Sequence, residues 1–542
     1  MAVVSLNKKE LKNLIGNLSD EKIDEILSLF GTAVEKITNE EVDIEVAPNR
    51  PDMLSEHGVL RALSTFFGGK TREYKVHKPE KEFEVKIDSS VNEVRPFTAC
   101  AIVKNLKFDD NKIKEIIDIQ EKIHNTLGRN RKKVAIGIYP LEKIKLPVKY
   151  EARNPQDIKF VPLESGREMD GLQILSQHSA GREYGHLLEG KKKFPVFVDA
   201  MGEILSMPPI INSHKTGKIT EETKEVFIEC SGFDFNILQK TLNILVTMLA
   251  DIGGGIYSMN LKYKNKPVIT PDLKPEKFKI NLENVNKLLG LELKENDVKK
   301  LLGKMGYGYN KLVAEVPAYR TDILHEVDIA EDIAIAYGYK NFSPEIPEIS
   351  SIGEEDRKQV LARKISETLA GLGFLEVSTY HLVNEDMLKK AGKSEKLDKI
   401  KVKDSKTDFT ILRPDLSVSL FKILAENVDS EYPQKICEIG KVFKKNEKCE
   451  TGIEEKTQLA CFSVPCNFTQ IKQILEYLGR MLNLQFSLKE AEHPYYISGR
   501  TGKIVLGDKE IGTIGEIHPR IIKNLHIKMP LAGFELCVDE LG

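Results

Sequence analysis

The clearest alternation of apolar and polar positions lies between residues 313 and 340. Residues 313–316 form a short strand pattern that Pro317 ends. Apolar side chains then recur at steps of four, three, four and three, which places them on one helix face: Ile323, Val327, Ala330, Ala334 and Tyr337. Gly338 suits the C-terminal cap. The pattern therefore predicts a helix that ends at this glycine and buries that face.

Four carboxylates accompany the predicted helix. Asp322 lies at the expected N-cap, where a short side chain can accept a free backbone N–H, and Asp328, Glu331 and Asp332 follow. At about 100° per residue, the last three fall within about 100° of arc. Converging carboxylates repel one another, and Mg²⁺ would relieve this repulsion because it takes oxygen ligands. The alternative is a solvated acidic face, which spacing alone favours in a chain that is 30% charged.

The same periodicities predict an α+β multidomain chain of four modules. These are an N-terminal α+β module at 1–87, a mixed α/β module at 88–262, a small winged-helix-like module at 271–347, and a last module at 350–542. Helices are expected near residues 111–127, 283–289, 294–305 and 357–372. Prolines at 267, 271 and 275 predict a linker over 261–275, and SPEIP predicts a second at 343–347.

Composition limits the classes of function. The 542 residues carry a formal net charge of -2, so any RNA contact must be local. Seven cysteines include no C-x-x-C pair and are odd in number, which indicates reduced thiols rather than a disulfide framework or a zinc site. The sequence has no apolar run of membrane-spanning length and no signal-peptide core at its N-terminus. We therefore expect a cytoplasmic protein without a membrane partner.

The segment 317–339 matches the pattern P-x-Y-R-x-D-I-x-x-E-x-D-I-x-E-D-I-A-x-x-Y-G-Y. This pattern resembles the small magnesium-bearing domain of the phenylalanyl-tRNA synthetase beta chain family. The resemblance implies that a Mg²⁺ ion, shared with the alpha chain, is bound by four positions that are all acidic here: Asp322, Asp328, Glu331 and Asp332.

The resemblance extends over essentially the whole chain in the family's domain order. VAPNRPD at 46–52 resembles the N-terminal domain, in which this motif introduces the first long helix. Residues 88–260 resemble the editing domain of the archaeal and eukaryotic form. Residues 350–542 resemble the catalytic-like domain, which implies a class II synthetase antiparallel sheet. Two domains of bacterial members, for inserted tRNA binding and for the anticodon, have no counterpart, so we expect no direct anticodon contact.

The last module lacks the arginines that adenylation requires. A class II site needs cationic forks on the α- and γ-phosphates of ATP. Here Cys437 and Glu438 stand where active enzymes carry one arginine, and the F-E-L segment at 534–536 contains no Gly-rich arginine motif. Arg413 and Arg520 fit neither role. The sequence therefore predicts an inactive copy of the fold, which packs against an active alpha chain.

The editing resemblance directs attention to four residues. Glu229, in the strand VFIEC, is the first candidate for recognising a tyrosine phenol, and Ser231 lies two residues on, on the same strand face. Leu205 and Ser213 flank Pro208-Pro209 and are expected to form the pocket wall. In the alternative interpretation, Glu229 caps a sheet edge and Ser213 only shapes a loop.

A basic turn precedes the strand VAIGIYPL. It contains Arg129, Arg131, Lys132 and Lys133. A short basic run of this kind is more often a solvated loop than an RNA contact, and the solvated loop is the preferred interpretation.

The main hypothesis is a beta subunit of phenylalanine–tRNA ligase. In an alpha2beta2 tetramer it would support attachment of phenylalanine to tRNA, with ATP consumed at the alpha subunit, and would itself hydrolyse mischarged Tyr-tRNA. The expected partners are the alpha subunit and tRNA, not DNA. The alternative is a non-catalytic RNA-binding or scaffolding protein that reuses these domains. A self-sufficient ligase is disfavoured by the missing arginines.

Overall fold

A computed structural model describes residues 2–264, 267–346, 348, 351–392, 398–403 and 405–541. The chain forms two compact units, 1–346 and 347–542. Three of the predicted modules lie within the first unit, so their finer boundaries remain predictions. Within the described residues, none of the helices is both long and apolar enough to cross a membrane.

The first unit combines three sheets with eleven α-helices among its described residues, along with a two-stranded pair. Its strands are β1 (Ala2–Asn7), β2 (Ala33–Ile37), β3 (Glu41–Val46), β4 (Val76–His77), β5 (Glu84–Ile87), β6 (Phe97–Lys104), β7 (Val134–Pro140), β8 (Val148–Arg153), β9 (Lys159–Phe160), β10 (Met169–Asp170), β11 (Phe194–Val198), β12 (Ile204–Met207), β13 (Ile211–Asn212), β14 (Val226–Gly232), β15 (Gly255–Lys262), β16 (Pro267–Thr270), β17 (Glu276–Lys279), β18 (Gly308–Asn310) and β19 (Val313–Val316). Its helices are α1 (Lys8–Ile15), α2 (Asp20–Phe30), α3 (Glu56–Phe66), α4 (Asp110–Asn125), α5 (Gly171–Gln177), α6 (Ser179–Tyr184), α7 (His214–Gly217), α8 (Phe235–Asp251), α9 (Leu282–Leu289), α10 (Glu295–Lys304) and α11 (Glu326–Tyr337).

The largest sheet has the strand order β13-β12-β11-β8-β5-β15-β6-β14-β7, and β4 and β16 also pair with β15. Strand β14 lies antiparallel between β6 and β7, and all seven of its residues are buried. The apolar helix α8 packs against β6 and β14. The expected linker at 261–275 is wrong over 267–270, because these residues pair with β15 as strand β16. Its proline takes the first strand position, where a missing N–H is tolerated.

The small module contains the antiparallel sheet β17-β19-β18 with α9, α10 and α11. The predicted N-cap of α11 is wrong: the helix begins after His325, whose ring accepts the Val327 N–H, and Asp322 lies before it. The predicted buried face is also wrong in part. Val327 is 48% exposed, whereas Asp332 is only 4% exposed. A buried arginine, Arg320, compensates the Asp332 charge and allows this rotation of the helix.

The second unit is built on one antiparallel sheet with helices on both faces. Its strands are β20 (Leu375–Glu376), β21 (Leu382–Val383), β22 (Ile411–Leu412), β23 (Gln434–Lys445), β24 (Ile453–Val464), β25 (Phe486–Glu490), β26 (Tyr496–Leu506), β27 (Lys509–Ile517) and β28 (Ala532–Cys537). Its helices are α12 (Arg357–Gly371), α13 (Glu385–Lys390), α14 (Ser417–Glu426), α15 (Phe468–Met481) and α16 (Pro519–Asn524).

The sheet of the second unit runs in the order β20-β23-β24-β28-β27-β26-β25, and only the short β20 pairs in parallel. Successive side chains along its strands point alternately into two different hydrophobic cores. Cys437 and Cys461 face the core that includes α12 and α15, whereas Ala460 and Phe462 face the core that includes α14. The antiparallel sheet expected for this module is therefore present.

Candidate functional site

A cavity of about 680 Å³ lies beside strand β14 in the first unit. Its apolar wall comes from α4, β7 and the segment after Pro208, and includes Ile113, Ile116, Ile117, Ile138, Pro209 and Ile210. Its polar lining includes Gln120, Glu121, His124, Arg131, His178, Asn212, His214 and Glu229. Apolar walls with a few polar groups are typical of a site that orients a small organic group.

Glu229 is the buried carboxyl group of this cavity. It lies on β14, between β6 and β7, is 1% exposed, and accepts a hydrogen bond on Oε1 from the Tyr139 hydroxyl at 3.3 Å. Its Oε2 has no hydrogen-bond partner within the described chain. Burial raises the pKa of Glu229 to about 8, although Arg95, Tyr139 and Ser231 act in the opposite direction. A buried carboxyl oxygen left without a partner is costly, and such groups mark functional sites.

Gly137 makes room for this carboxylate. It is the cross-strand partner of Glu229 on β7. A Cβ at this position would lie 2.6 Å from Glu229 Oε1 and closer still to the Tyr139 hydroxyl. Because real side chains do not approach so closely, only glycine leaves the pair undisturbed. The sequence analysis did not identify this residue, since its role depends on strand register.

The other three predicted pocket residues lie behind the cavity wall and do not line it. Leu205 is fully buried in the core, and its carbonyl accepts the N–H of Ser213 at 2.8 Å. Ser231 accepts a hydrogen bond from Arg95 Nε at 3.2 Å, and it is near enough to lower the pKa of Glu229. Of the four candidates, the structure brings only Glu229 to the cavity, and Ser231 supports it. The assignment of Leu205 and Ser213 to an editing pocket remains a prediction.

A second polar cluster of the cavity was not predicted. The His124 ring accepts the Ile136 N–H on Nε2 at 2.9 Å, so its proton lies on Nδ1, which faces Glu121 at 3.2 Å. Burial lowers the pKa of His124. Arg131 donates to Glu121 at 2.9 Å and to the Ile210 carbonyl at 2.8 Å. This arginine of the basic turn is therefore part of the cavity wall. Its tertiary contacts, absent from any local pattern, explain why the sequence did not show it.

Two further histidines line the cavity, and they differ in burial and in hydrogen bonding. His178 is buried and both ring nitrogens are engaged, by the Leu163 carbonyl at 3.0 Å and the Ala180 N–H at 3.2 Å. His214 is exposed on α7, and its ring makes no hydrogen bond within the described residues. The two rings therefore differ, because His178 is held through both nitrogens and His214 is not.

The four predicted metal ligands divide into two pairs. Asp322 and Asp332 both surround the buried guanidinium of Arg320, whose Nη2 lies 2.6 Å from one carboxylate and 2.7 Å from the other. The Tyr307 hydroxyl also donates to Asp332. These two aspartates therefore share one arginine, whose single positive charge offsets one of their two negative charges.

The second pair lies at the surface. Asp328 and Glu331 line one groove with apolar neighbours from α9 and from the segment after α11. Asp328 Oδ2 already accepts the N–H groups of Leu324 and His325, both at 2.8 Å. Across the described residues, no group of three or more histidines, cysteines or carboxylates is arranged to hold a metal ion. The four carboxylates do not form one ligand set in this chain by itself.

The NRPD motif forms a second clamp of the same kind. Arg50 donates to both oxygens of Asp52 at 2.9 Å. Arg320 donates in the same way to both oxygens of Asp322, and in each pair the aspartate follows the arginine by two residues. Arg61 of α3 lies 4.1 Å from the Tyr319 ring centroid, and its Nη1 is 2.6 Å from Asp251 at the end of α8. Arg61 therefore links the first predicted module to the second by an ion pair and to the third by a cation–π contact, all within the unit 1–346.

In the second unit, one face of the large sheet carries Glu438 and Glu535, and both are engaged by internal partners. Arg413 is 1% exposed, and it donates to Glu438 at 2.7 Å and to the Lys441 carbonyl at 2.8 Å. Glu535 of β28 accepts the N–H groups of Leu416 and Ser417 at the start of α14. Burial raises the pKa of Glu535 to about 7. Where a phosphate would need cations, this face carries two glutamates and an arginine that is already paired.

Family models match three segments of the chain. The B3/4 domain matches residues 91–247, the tRNA synthetase B5 domain matches 278–339, and the phenylalanyl tRNA synthetase beta chain CLM domain matches 343–538. The cavity and Glu229 lie in the first of these segments, and α11 lies in the second.

Archaeal relatives match along the full length. The phenylalanine–tRNA ligase beta subunit of Thermococcus sibiricus is 38% identical over 90% of this chain and 88% of its own length, and that of Pyrococcus abyssi is 36% identical over 100% of both. The crystal structure of an N-terminal fragment of the Pyrococcus horikoshii phenylalanyl-tRNA synthetase beta subunit superposes with a TM-score of 0.58 at 38% identity, and it covers 62% of this chain and 99% of the fragment. The chain therefore belongs to the family of phenylalanine–tRNA ligase beta subunits.

Proposed function

We propose that this chain acts in the cytoplasm with an alpha subunit in an alpha2beta2 phenylalanine–tRNA ligase, and that its own cavity hydrolyses Tyr-tRNA carrying the phenylalanine anticodon. The observation that carries the editing proposal is Glu229, a buried carboxyl with one oxygen unpartnered in the described chain, on the wall of a 680 Å³ cavity. A purely RNA-binding or scaffolding protein has no need of such a costly group.

Selectivity explains why a hydroxyl-reading site is required. A hydrophobic pocket rejects an isostere with an added hydroxyl by only about a hundredfold, so a ligase for phenylalanine also accepts tyrosine. A site built to hydrogen-bond the hydroxyl rejects the analogue without it by about 10⁴ or more. Glu229 Oε2 accepts from a phenol or, when protonated, donates to it. Phenylalanine offers neither contact and leaves the buried group unsatisfied.

The remaining cavity residues have distinct parts in this proposal. The isoleucines of α4 and β7 hold the aromatic ring, and Tyr139 and Gly137 fix the position of Glu229. The nucleophile is water, which adds to the carbonyl carbon of the tyrosyl ester; the bond from that carbon to the terminal ribose oxygen then breaks and releases tyrosine and tRNA. His214, which lines the cavity, accepts the proton of the water as general base and returns it to the departing ribose oxygen. The Glu121–His124–Arg131 cluster holds α4 against the segment at 208–210.

The second unit is proposed to support the alpha subunit without adenylating phenylalanine. Arg413 is committed to Glu438, and Glu535 occupies the start of α14. ATP is therefore proposed to bind only to the alpha subunit, and the isolated beta chain is expected to show no phenylalanine-dependent pyrophosphate exchange. Exchange by the chain free of alpha would contradict this assignment.

The shared Mg²⁺ also remains a proposal. Mg²⁺ is commonly held by one or two carboxylates with its other ligands from water or a partner. Asp328 and Glu331 are the residues that would contribute to such a site, because Asp322 and Asp332 are paired with Arg320. In the alpha–beta complex, replacing Asp328 and Glu331 by alanine should blunt the rise of the thermal midpoint with Mg²⁺. An unchanged Mg²⁺ response in the quadruple variant that also lacks Asp322 and Asp332 would exclude the site.

The direct test of editing uses preformed substrates. Purified alpha–beta complex should deacylate Tyr-tRNA rapidly and spare Phe-tRNA made on the same transcript. The two substrates differ by one hydroxyl, so each controls for the other. Equal rates for both, or no hydrolysis of either above the buffer rate, would refute the proposal.

A further inference from the structure

The basic turn between α4 and β7 lies at the cavity but is not used by the proposed chemistry. Its residues Arg129, Asn130 and Arg131 have φ angles of 48°, 52° and 62°. Residues other than glycine rarely adopt this left-handed backbone conformation. Each one costs about 1–3 kcal/mol of stability, so it persists only where the surrounding structure holds it. Three in succession show that the surrounding contacts impose this shape on the turn.

Contacts on both sides hold the turn. The Arg131 N–H donates to the His124 carbonyl at 3.1 Å, and the Lys133 N–H donates to the Gly128 carbonyl at 2.8 Å. The Arg131 guanidinium lies 4.2 Å from the Tyr184 ring centroid and is bound to Glu121 and to the 209–210 carbonyls. One arginine is therefore used to fasten the turn to the cavity wall.

The other cations of the turn are uncommitted. Arg129, Lys132 and Lys133 are exposed, and within the described chain they form no ion pair or side-chain hydrogen bond. By contrast, Lys122 at the end of α4 is paired with Asp118. Glu164 and Glu183 also line the cavity, so its rim is not uniformly basic. The turn therefore carries three unpaired positive charges on a backbone that Arg131 fastens to the cavity wall.

We propose that Arg129, Lys132 and Lys133 bind backbone phosphates of the RNA whose acylated end enters the cavity. This inference rests on the proposed editing function and names the groups that hold its macromolecular substrate. Phosphate contacts fix register without reading sequence, and a preorganised loop makes them at little further entropic cost. A tyrosyl group by itself provides little contact area, so most of the affinity must come from the attached RNA.

The test replaces all three residues by glutamine, which keeps side-chain length and removes charge, in the complete alpha–beta complex. The matched control carries Lys191→Gln, Lys192→Gln and Lys193→Gln, a second basic run of the segment 91–247 that removes the same charge; its Lys191 donates to the Glu93 carbonyl at 2.9 Å. Deacylation of Tyr-tRNA is measured as kcat/KM from 50 to 300 mM salt. The turn variant should lose about 10- to 100-fold at low salt, and its logarithmic salt slope should fall by about 2 to 3. The control should match wild type.

Three outcomes are distinguishable. A turn variant with wild-type kcat/KM and salt slope overturns the inference and leaves the editing proposal standing. A loss of rate with an unchanged salt slope also overturns it, because it indicates a structural role. If wild-type complex hydrolyses no Tyr-tRNA, the editing proposal itself fails, and this inference fails with it.

Discussion

Glu229 and Glu438 are two buried glutamates on inner strands of the two large sheets, 1% and 2% exposed. Glu438 is fully engaged, by the Arg413 guanidinium at 2.7 Å and by the Thr379 hydroxyl at 2.7 Å. By contrast, Glu229 Oε1 accepts a hydrogen bond from the Tyr139 hydroxyl, and Oε2 has no hydrogen-bond partner among the described residues. Glu229 also lies beside a cavity. Burial of a glutamate therefore does not by itself indicate a functional site. The uncompensated burial of Glu229 next to open volume is the observation on which its proposed role rests.

The largest expected effect on stability comes from removing the partner of Glu438. Arg413→Met leaves the Glu438 charge buried without its partner, which should destabilise the second unit by about 3–5 kcal/mol. Hydrogen exchange of the β23 amides in the full chain measures the change.

The double variant Arg413→Met/Glu438→Leu is the control, since replacing both partners by apolar groups should recover most of the loss. If the single variant exchanged at the wild-type rate, the ion pair would not be structural, and the contrast with Glu229 would disappear.

The unpaired glutamate should appear in the pH dependence of stability. Folded Glu229 holds its proton to about pH 8, whereas the ordinary value for the unfolded chain is 4.5. Between pH 4.5 and 8 the folded state binds more protons than the unfolded state. The contribution of Glu229 to the free energy of unfolding therefore falls as pH rises, by up to about 1.4 kcal/mol per pH unit, and levels off above pH 8. Urea unfolding of the first unit in wild type and Glu229→Gln, from pH 5 to 9, isolates this term. A difference that does not change with pH would contradict the shifted pKa.

Gly137 tests how closely the site is packed. Gly137→Ala places a methyl group against Glu229 Oε1 and the Tyr139 hydroxyl, so it should destabilise the first unit by about 1–3 kcal/mol and reduce deacylation of Tyr-tRNA. Gly303→Ala in α10 is the matched control, because nothing lies within 4 Å of its added Cβ and it should stabilise by about 0.5–1 kcal/mol. Equal effects of the two changes on the unfolding free energy would show that register does not demand glycine at 137.

The smallest expected effect is a difference in stability between variants of Asp328 and Glu331 in the small module. Asp328→Asn weakens the acceptor of two backbone N–H groups before α11 and should cost about 0.5–1 kcal/mol. Glu331→Gln changes an exposed side chain and should stay within about 0.5 kcal/mol. Thermal unfolding of the chain without its partner checks the order. A larger loss at Glu331 would reverse the assignment of roles.

The sequence predicted helices with long, regular periodicity well. The helices expected at 283–289 and 357–372 are observed at Leu282–Leu289 and Arg357–Gly371. For α11 it predicted the helix and its end at Gly338 correctly, but misplaced its start and part of its buried face, because Arg320 pairs with Asp332 and allows that carboxylate to be buried. Glu229 was identified through its strand and the family resemblance. Gly137, His124 and Arg131 were not, because strand register and side-chain contacts across the fold define them.

The central claim is that Glu229 reads the tyrosine hydroxyl. The most direct measurement is the ratio of kcat/KM for deacylation of Tyr-tRNA to that of Phe-tRNA, in the alpha–beta complex, for wild type and Glu229→Ala. The account predicts that the ratio collapses by about a hundredfold or more, mainly through loss of Tyr-tRNA hydrolysis, because the proposed hydroxyl-specific contact is removed. A variant that clears Tyr-tRNA at the wild-type rate and still spares Phe-tRNA would contradict it.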